Sequence, residues 1–235
     1  MADGITLYRV DPLGDVLDLS RVRGALLCNV YAAAPWGLDV PGTGDASVHV
    51  VTSGTAWLRV GGDEPTQLMP GDVFLLPSGI RYRLSSTPDG LCERFDQRLK
   101  ARMTPERDLA IGGGGTRTVF LCAEYVYDLD VAQPLMSLLP TVLRVPASPA
   151  RGGRVAMIVE LLAGELGAPG PASRPAVARL LDLLLIEAIR HWALHDPGAG
   201  GPSWLTALRD PAIARVLALL HARPAEPWTL ERLAD

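Results

Sequence analysis

Polar and apolar residues alternate over short distances in the first half of this chain and over helical distances in the second. Between residues 20 and 95, apolar runs of four to eight residues are cut by Gly, Pro, Asn and Asp at the spacing of an all-β barrel or sandwich. Ala25–Tyr31, Val48–Thr52, Thr55–Val60, Val73–Leu76, Arg81–Leu84 and Thr118–Val126 read as strands. PWGLDVPGTGD (35–45) reads as strand edge and loop, and Ser53-Gly54 as a hairpin turn whose return strand begins at Thr55. Residues 101–117 read as a loop ending in the flexible run Gly112–Gly115.

From Gly153 onward the period changes. Val155, Ile158, Val159, Leu162 and Leu166 recur at helical spacing. After the break GAPGPASRP, Ser173 and Pro175 start a second helix. One face of it carries Val177, Leu180, Leu181, Leu184, Leu185, Ala188, Ile189 and Trp192, with Leu183, Ile186 and Leu194 off that face. So wide an apolar surface predicts a second helix or a second subunit against it. Residues 196–204 have linker composition, Asp210-Pro211 opens a helix over Ile213–His221, and Thr229 is placed as the N-cap of a further helix. A chain that stops one turn into a capped helix is expected to be cut at Asp235, the alternative being a frayed natural C-terminus.

Composition narrows the class. The 235 residues are 48% hydrophobic and 20% charged, enough to bury a core and too apolar for a disordered chain. No run approaches about 18 apolar residues free of charge, which excludes a membrane helix. The start, MADGITLYRVDPLGD, lacks the basic-then-apolar order of a secretion signal. Three cysteines, Cys28, Cys92 and Cys122, suit a reducing compartment, and a cytoplasmic location is expected. Net charge is −4 and the pI about 5.6, without the basic stripe of a nucleic-acid-binding surface. Of 22 basic residues only Lys100 is lysine. The 24 glycines and 20 prolines gather before residue 120 and in 164–202, where turns are dense.

The segment Pro70-Gly71-Asp72-(x4)-Pro77-Ser78-Gly79-Ile80-Arg81-Tyr82 resembles the second cupin motif, a strand, tight turn and strand leading into a small barrel. Gly71, Pro77 and Gly79 match it, and Tyr82 stands at the histidine position. The metal-dependent members of that family hold an ion with three histidines and a glutamate. The corresponding positions here are Pro41, Thr43, Ser47 and Tyr82, a poor donor set for a divalent cation. DPLGDVLDLSRVRGALLCNVYAAAPWGLDVP at the start, LCAEYVYDLD in the middle and DPAIARVLALLHARPAEPWTLERLAD at the end resemble an AraC-type transcription regulator with an N-terminal cupin sensor. The resemblance covers essentially the whole chain, and the last segment is similar to the opening of that family's helix-turn-helix region.

The resemblance implies an α+β fold: a cupin-type jelly-roll barrel, an antiparallel helical pair and a partial helix-turn-helix region. The divisions are 1–148 for the sensor barrel, 149–196 for the helical dimerisation segment, 197–209 for a linker and 210–235 for the start of the DNA-binding region. It also implies a homodimer, an unidentified small-molecule effector, DNA contact through a C-terminal region absent from these residues, and no membrane. No cofactor, metal or catalytic residue is expected. A small cupin enzyme and a stand-alone small-molecule binding protein are the alternatives.

Candidate residues follow. Strand alternation turns His49 inward with Ser47, either to meet a ligand or to rest as a core histidine on a backbone carbonyl. Tyr82 either donates to a ligand or plugs the barrel. Val51, Trp36 and Leu76 complete the expected ligand-binding set. Cys28 and Cys122 lie in apolar strand patterns as inert thiols, leaving Cys92 as the candidate redox thiol. Val177, Leu181, Leu184, Leu185, Ala188 and Trp192 form the expected dimer interface. His191 and His195, four apart, read as a helix C-terminus and not as a zinc site.

Overall fold

The structure is a computed structural model that describes residues 13–15, 22–42, 45–103, 108–127, 136–147, 153–195 and 210–234. Its strands are β1 (Arg23–Ala33), β2 (Gly37–Val40), β3 (Ala46–Ser53), β4 (Ala56–Val60), β5 (Thr66–Leu68), β6 (Val73–Leu76), β7 (Tyr82–Ser85), β8 (Glu93–Arg94), β9 (Leu109–Gly112), β10 (Arg117–Val126) and β11 (Leu143–Val145). The helices are α1 (Gln97–Lys100), α2 (Gly153–Gly167), α3 (Ser173–His195), α4 (Pro211–Ala222) and α5 (Leu230–Ala234).

The strands form two sheets. One has the order β11-β6-β3-β10-β1-β9 and the other β5-β4-β7-β2-β8. Successive residues of a strand point to opposite faces, and the first sheet buries both. On β10, Phe120 and Cys122 enter the core between the sheets. Leu121, Ala123 and Tyr125 enter a second core beneath α2 and α3. Two-sided burial explains why β6 is an unbroken apolar run and why most of β3 is buried on both faces. The second sheet buries one face only, so β4 alternates buried and half-buried positions.

Three sequence expectations change here. Ser53-Gly54 does not make a hairpin: β3 pairs with β10 and β6, whereas β4 pairs with β5 and β7. The turn carries the chain from one sheet to the other, a distinction invisible in a local pattern. Gly37–Val40 is an inner strand between β7 and β8. Within the expected loop 101–117, Leu109–Gly112 pairs in parallel with β1, and Gly113 donates to the Ala33 carbonyl at 2.7 Å.

The cupin-like turn is held by Gly71 and Asp72. Gly71 has φ of +89°, a backbone region L side chains rarely adopt. The Asp72 carboxylate, buried, accepts from the amides of Met69 at 3.0 Å and Ala147 at 2.6 Å and from Arg144 at 2.6 Å. That single side chain joins the β5–β6 turn to the exit of β11.

The expected dimer interface is corrected. Val177, Leu181, Leu184, Leu185, Ala188 and Trp192 are buried inside one chain, at 0–5% exposure. They pack on the outer face of the first sheet and on Val155, Ile158, Val159 and Leu162 of α2. The first sheet's second apolar face is the partner that the wide helical surface required. Gly24 of β1 allows this approach, since a Cβ there would lie 2.4 Å from Leu181 Cβ. The Tyr125 hydroxyl donates to the Leu181 carbonyl at 2.8 Å, and the Gly24 amide donates to Asp182 at 2.7 Å. Asp210 caps α4 by accepting from the amides of Ala212 and Ile213. The expected linker 197–209 lies outside the described residues.

Candidate functional site: a cavity inside the barrel

A cavity of about 60 Å³ opens between the two sheets, on a scale where one water needs about 10–15 Å³. Its walls are mainly apolar: Val30, Leu38, Leu84, Phe95, Leu109 and Phe120 line it. Ser47, His49, Tyr82 and Cys122 supply the polar groups of the interior, and Lys100 and Glu124 supply the charges. His49 and Tyr82 are 4% and 7% exposed. The Lys100 and Glu124 side chains are 45% and 24% exposed, which places them toward solvent.

Register produces the interior arrangement. Cys28, Cys122, His49 and Phe74 are successive neighbours across β1, β10, β3 and β6. His49 stacks on Phe74 at 4.7 Å between ring centroids, and its Nδ1 lies 3.1 Å from Cys122 Sγ. From the opposite sheet, the Tyr82 hydroxyl reaches His49 Nε2 at 2.8 Å. Ser47 lines the cavity with Tyr82. The chain Cys122–His49–Tyr82 therefore bridges the barrel, and both imidazole nitrogens have partners.

Burial pushes the His49 pKa down to about 3, because a low-dielectric interior disfavours the imidazolium. The same desolvation pushes the Tyr82 and Cys122 pKa values up, and Cys28 up to about 12. All four groups are thus neutral near pH 7. A neutral imidazole has one donor and one acceptor, so the chain has two proton arrangements. In one, Tyr82 donates to Nε2 and Nδ1–H donates to Cys122. In the other, Cys122 donates to Nδ1 and Nε2–H donates to Tyr82, freeing the phenol proton for something in the cavity.

The remaining candidate residues separate from these two. Val51, Trp36 and Leu76 are buried in the core between the sheets but do not line the cavity. For Val51 the inward direction was legible from its alternation with His49 on β3, but depth along the barrel was not. Trp36 packs on Phe120 at 5.7 Å, and its Nε1 has no hydrogen-bond partner among the described residues. Cys92 is half-buried near Gly37, and burial raises its pKa. A reactive thiol needs the opposite shift, so this environment does not favour the expected redox role of Cys92. Sequence reasoning missed Glu124, Lys100 and Ser47 as members of the site. Ser47 had a signal, two residues before His49 on one strand. Lys100 and Glu124 meet at 3.7 Å only through the fold.

Among the described residues no group of three His, Cys, Asp or Glu side chains could hold a metal ion. Tyr82 and Ser47 occupy two of the positions where the motif resemblance would put metal ligands. Both face the cavity. Thr43 lies outside the described residues. No described helix is long and apolar enough to cross a membrane.

A family model described as Cupin matches residues 11–194. A protein of Streptomyces lividans described as an AraC-like transcription regulator is 29% identical over 233 residues, covering 96% of this chain and 73% of its own length. The HTH-type transcriptional regulator AlkR of Acinetobacter baylyi is 25% identical, covering 96% and 74%. Among solved structures, unsaturated fatty acid bound ToxT from Vibrio cholerae is 9% identical with a TM-score of 0.42, over 90% of this chain and 68% of that one.

Proposed function

The chain belongs to the Cupin family matched over residues 11–194, and we propose that it is the effector-sensing part of a DNA-binding transcription regulator of AraC type. The observation that carries this reading is similarity to transcription regulators along 96% of the chain, through the barrel, the helical layer and α4–α5 alike. In this reading residues 1–148 are the sensor, 149–196 the helical layer, 197–209 the linker and 210–235 the opening of the helix-turn-helix region. The cavity takes the effector, with His49 and Tyr82 as its polar contacts. The α2–α3 layer is packed on the sheet that supplies one cavity wall, so a change in the barrel reaches the helices through shared strands.

A second copy is the remaining partner. Regulators of paired half-sites work as two-fold dimers. The buried face of α3 is unavailable, so the dimer uses the exposed side of the helical layer. Met157, Leu161 and Leu183 stand there at 62%, 57% and 42% exposure.

Chromatin immunoprecipitation of the protein expressed from its own reading frame, with transcript measurements in a deletion strain, tests the reading. Discrete enriched sites next to genes whose transcripts change are expected. A flat occupancy profile would remove the regulator assignment.

A further inference from the structure

The charge inventory of the cavity says what it can hold. Its interior groups are the phenol of Tyr82, the imidazole of His49, the hydroxyl of Ser47 and the thiol of Cys122. The two charged side chains on its wall, Lys100 and Glu124, face each other at 3.7 Å and cancel. No uncommitted cation is present among its lining residues to meet an anion, and no uncommitted carboxylate to meet a cation.

Resting on the effector reading above, we propose that the cavity selects a small, electrically neutral ligand with an apolar body and one hydroxyl or carbonyl group, the class of short-chain alcohols and ketones. Three observations carry it. First, the space is about 60 Å³, well below the roughly 150 Å³ apolar cavity that accepts benzene, so the seated part of the ligand is only a few heavy atoms. Second, the wall is dominated by aliphatic and aromatic side chains, which reward burial of a hydrocarbon body. Third, the Cys122–His49–Tyr82 chain serves either polarity. With Tyr82 donating to His49 at 2.8 Å, the phenol oxygen accepts from a ligand hydroxyl. With the protons moved one place along, the phenol donates to a ligand carbonyl.

A carboxylate fares differently. Seated near Tyr82 it brings a negative charge into an apolar interior where burial already holds His49 neutral. The Lys100 ammonium is shared with Glu124 on the solvent side, so a ligand carboxylate seated at Tyr82 lies in the apolar interior without a cation of its own. An ammonium ligand meets the mirror problem with Lys100.

The test uses three probes of one chain length: 1-butanol, butyrate and butylammonium, titrated at pH 7 against isotope-labelled protein and followed by nuclear magnetic resonance shifts of residues lining the cavity. Butanol is expected to perturb Leu84, Phe120 and Tyr82 saturably, with butyrate and butylammonium at least about tenfold weaker, as buried unpaired charge requires. Tyr82→Phe is expected to weaken butanol about two- to tenfold, the worth of one hydrogen bond, and circular dichroism checks that its fold is retained. Butyrate binding as tightly as butanol would overturn the neutral-ligand proposal and leave the effector reading standing. Silence of the cavity residues to all three probes would overturn both.

Discussion

His49 shows how far one residue's chemistry is set by its surroundings. Its ring is stacked on Phe74, bonded at both nitrogens and 4% exposed. In the unfolded chain the imidazole takes up a proton near pH 6.5. In the native state burial lowers that value to about 3. Below pH 6.5 the unfolded chain therefore binds a proton that the folded chain refuses, and stability falls as pH falls, with a limiting slope of about 1.4 kcal/mol per pH unit from this group. The contribution is fully present above about pH 6.5 and is progressively lost down toward pH 3. His49→Phe keeps a flat ring against Phe74 and removes the titration. Urea unfolding at pH 7.0, 6.0 and 5.0 is expected to show a shallower pH dependence for this variant. Parallel curves for the two proteins would mean that His49 is not held neutral by the fold. That His49 faces inward was legible from strand alternation. Its two partners were not, because Cys122 and Tyr82 lie 73 and 33 residues away in sequence.

At the scale of elements, the helical periodicity of 153–166 and 174–195 located α2 and α3 closely. What the periodicity could not show is what lies opposite an apolar face. A sheet buried on both sides and a second subunit both satisfy it, and the sheet takes the face. The two possibilities make different variants informative. Leu184, fully buried, sits in the helix–sheet core, so Leu184→Ala is expected to cost about 2–5 kcal/mol of unfolding free energy without changing the mass of the folded particle. Leu161→Glu, on the exposed side, is expected to leave stability within about 0.5 kcal/mol and to halve the particle mass in light scattering. A monomeric Leu184→Ala with unchanged stability would reverse the assignment of the two faces. The sheet switch at Ser53-Gly54 has a similar lesson. Gly54 signals a turn through its φ of +72°, and a turn residue is the same whether the next strand pairs with the last one or crosses to the other sheet.

For the whole molecule, the succession of a β-rich half, a helical pair and the capped α4 was readable because each of these segments' local preference agrees with its place in the fold. The cavity was not. Its existence depends on how β3, β7, β10 and α1 are spaced in three dimensions, and its charge balance depends on Lys100 and Glu124 meeting at 3.7 Å. Ser47 and Tyr82 stand where the motif resemblance would put metal ligands, and the space between the sheets is given to a neutral hydrogen-bonding chain. The central claim is that this space is where the regulator reads a small molecule. Ile80→Trp tests it most directly, since Ile80 is a half-buried residue on the cavity wall where an indole can close the space without entering the packed core. Wild-type and Ile80→Trp proteins are equilibrated with the same cell extract, and the small molecules each retains are compared by mass spectrometry. At least one neutral compound is expected to be held by the wild type and lost from the plugged variant; identical retained profiles would contradict a ligand site in this space.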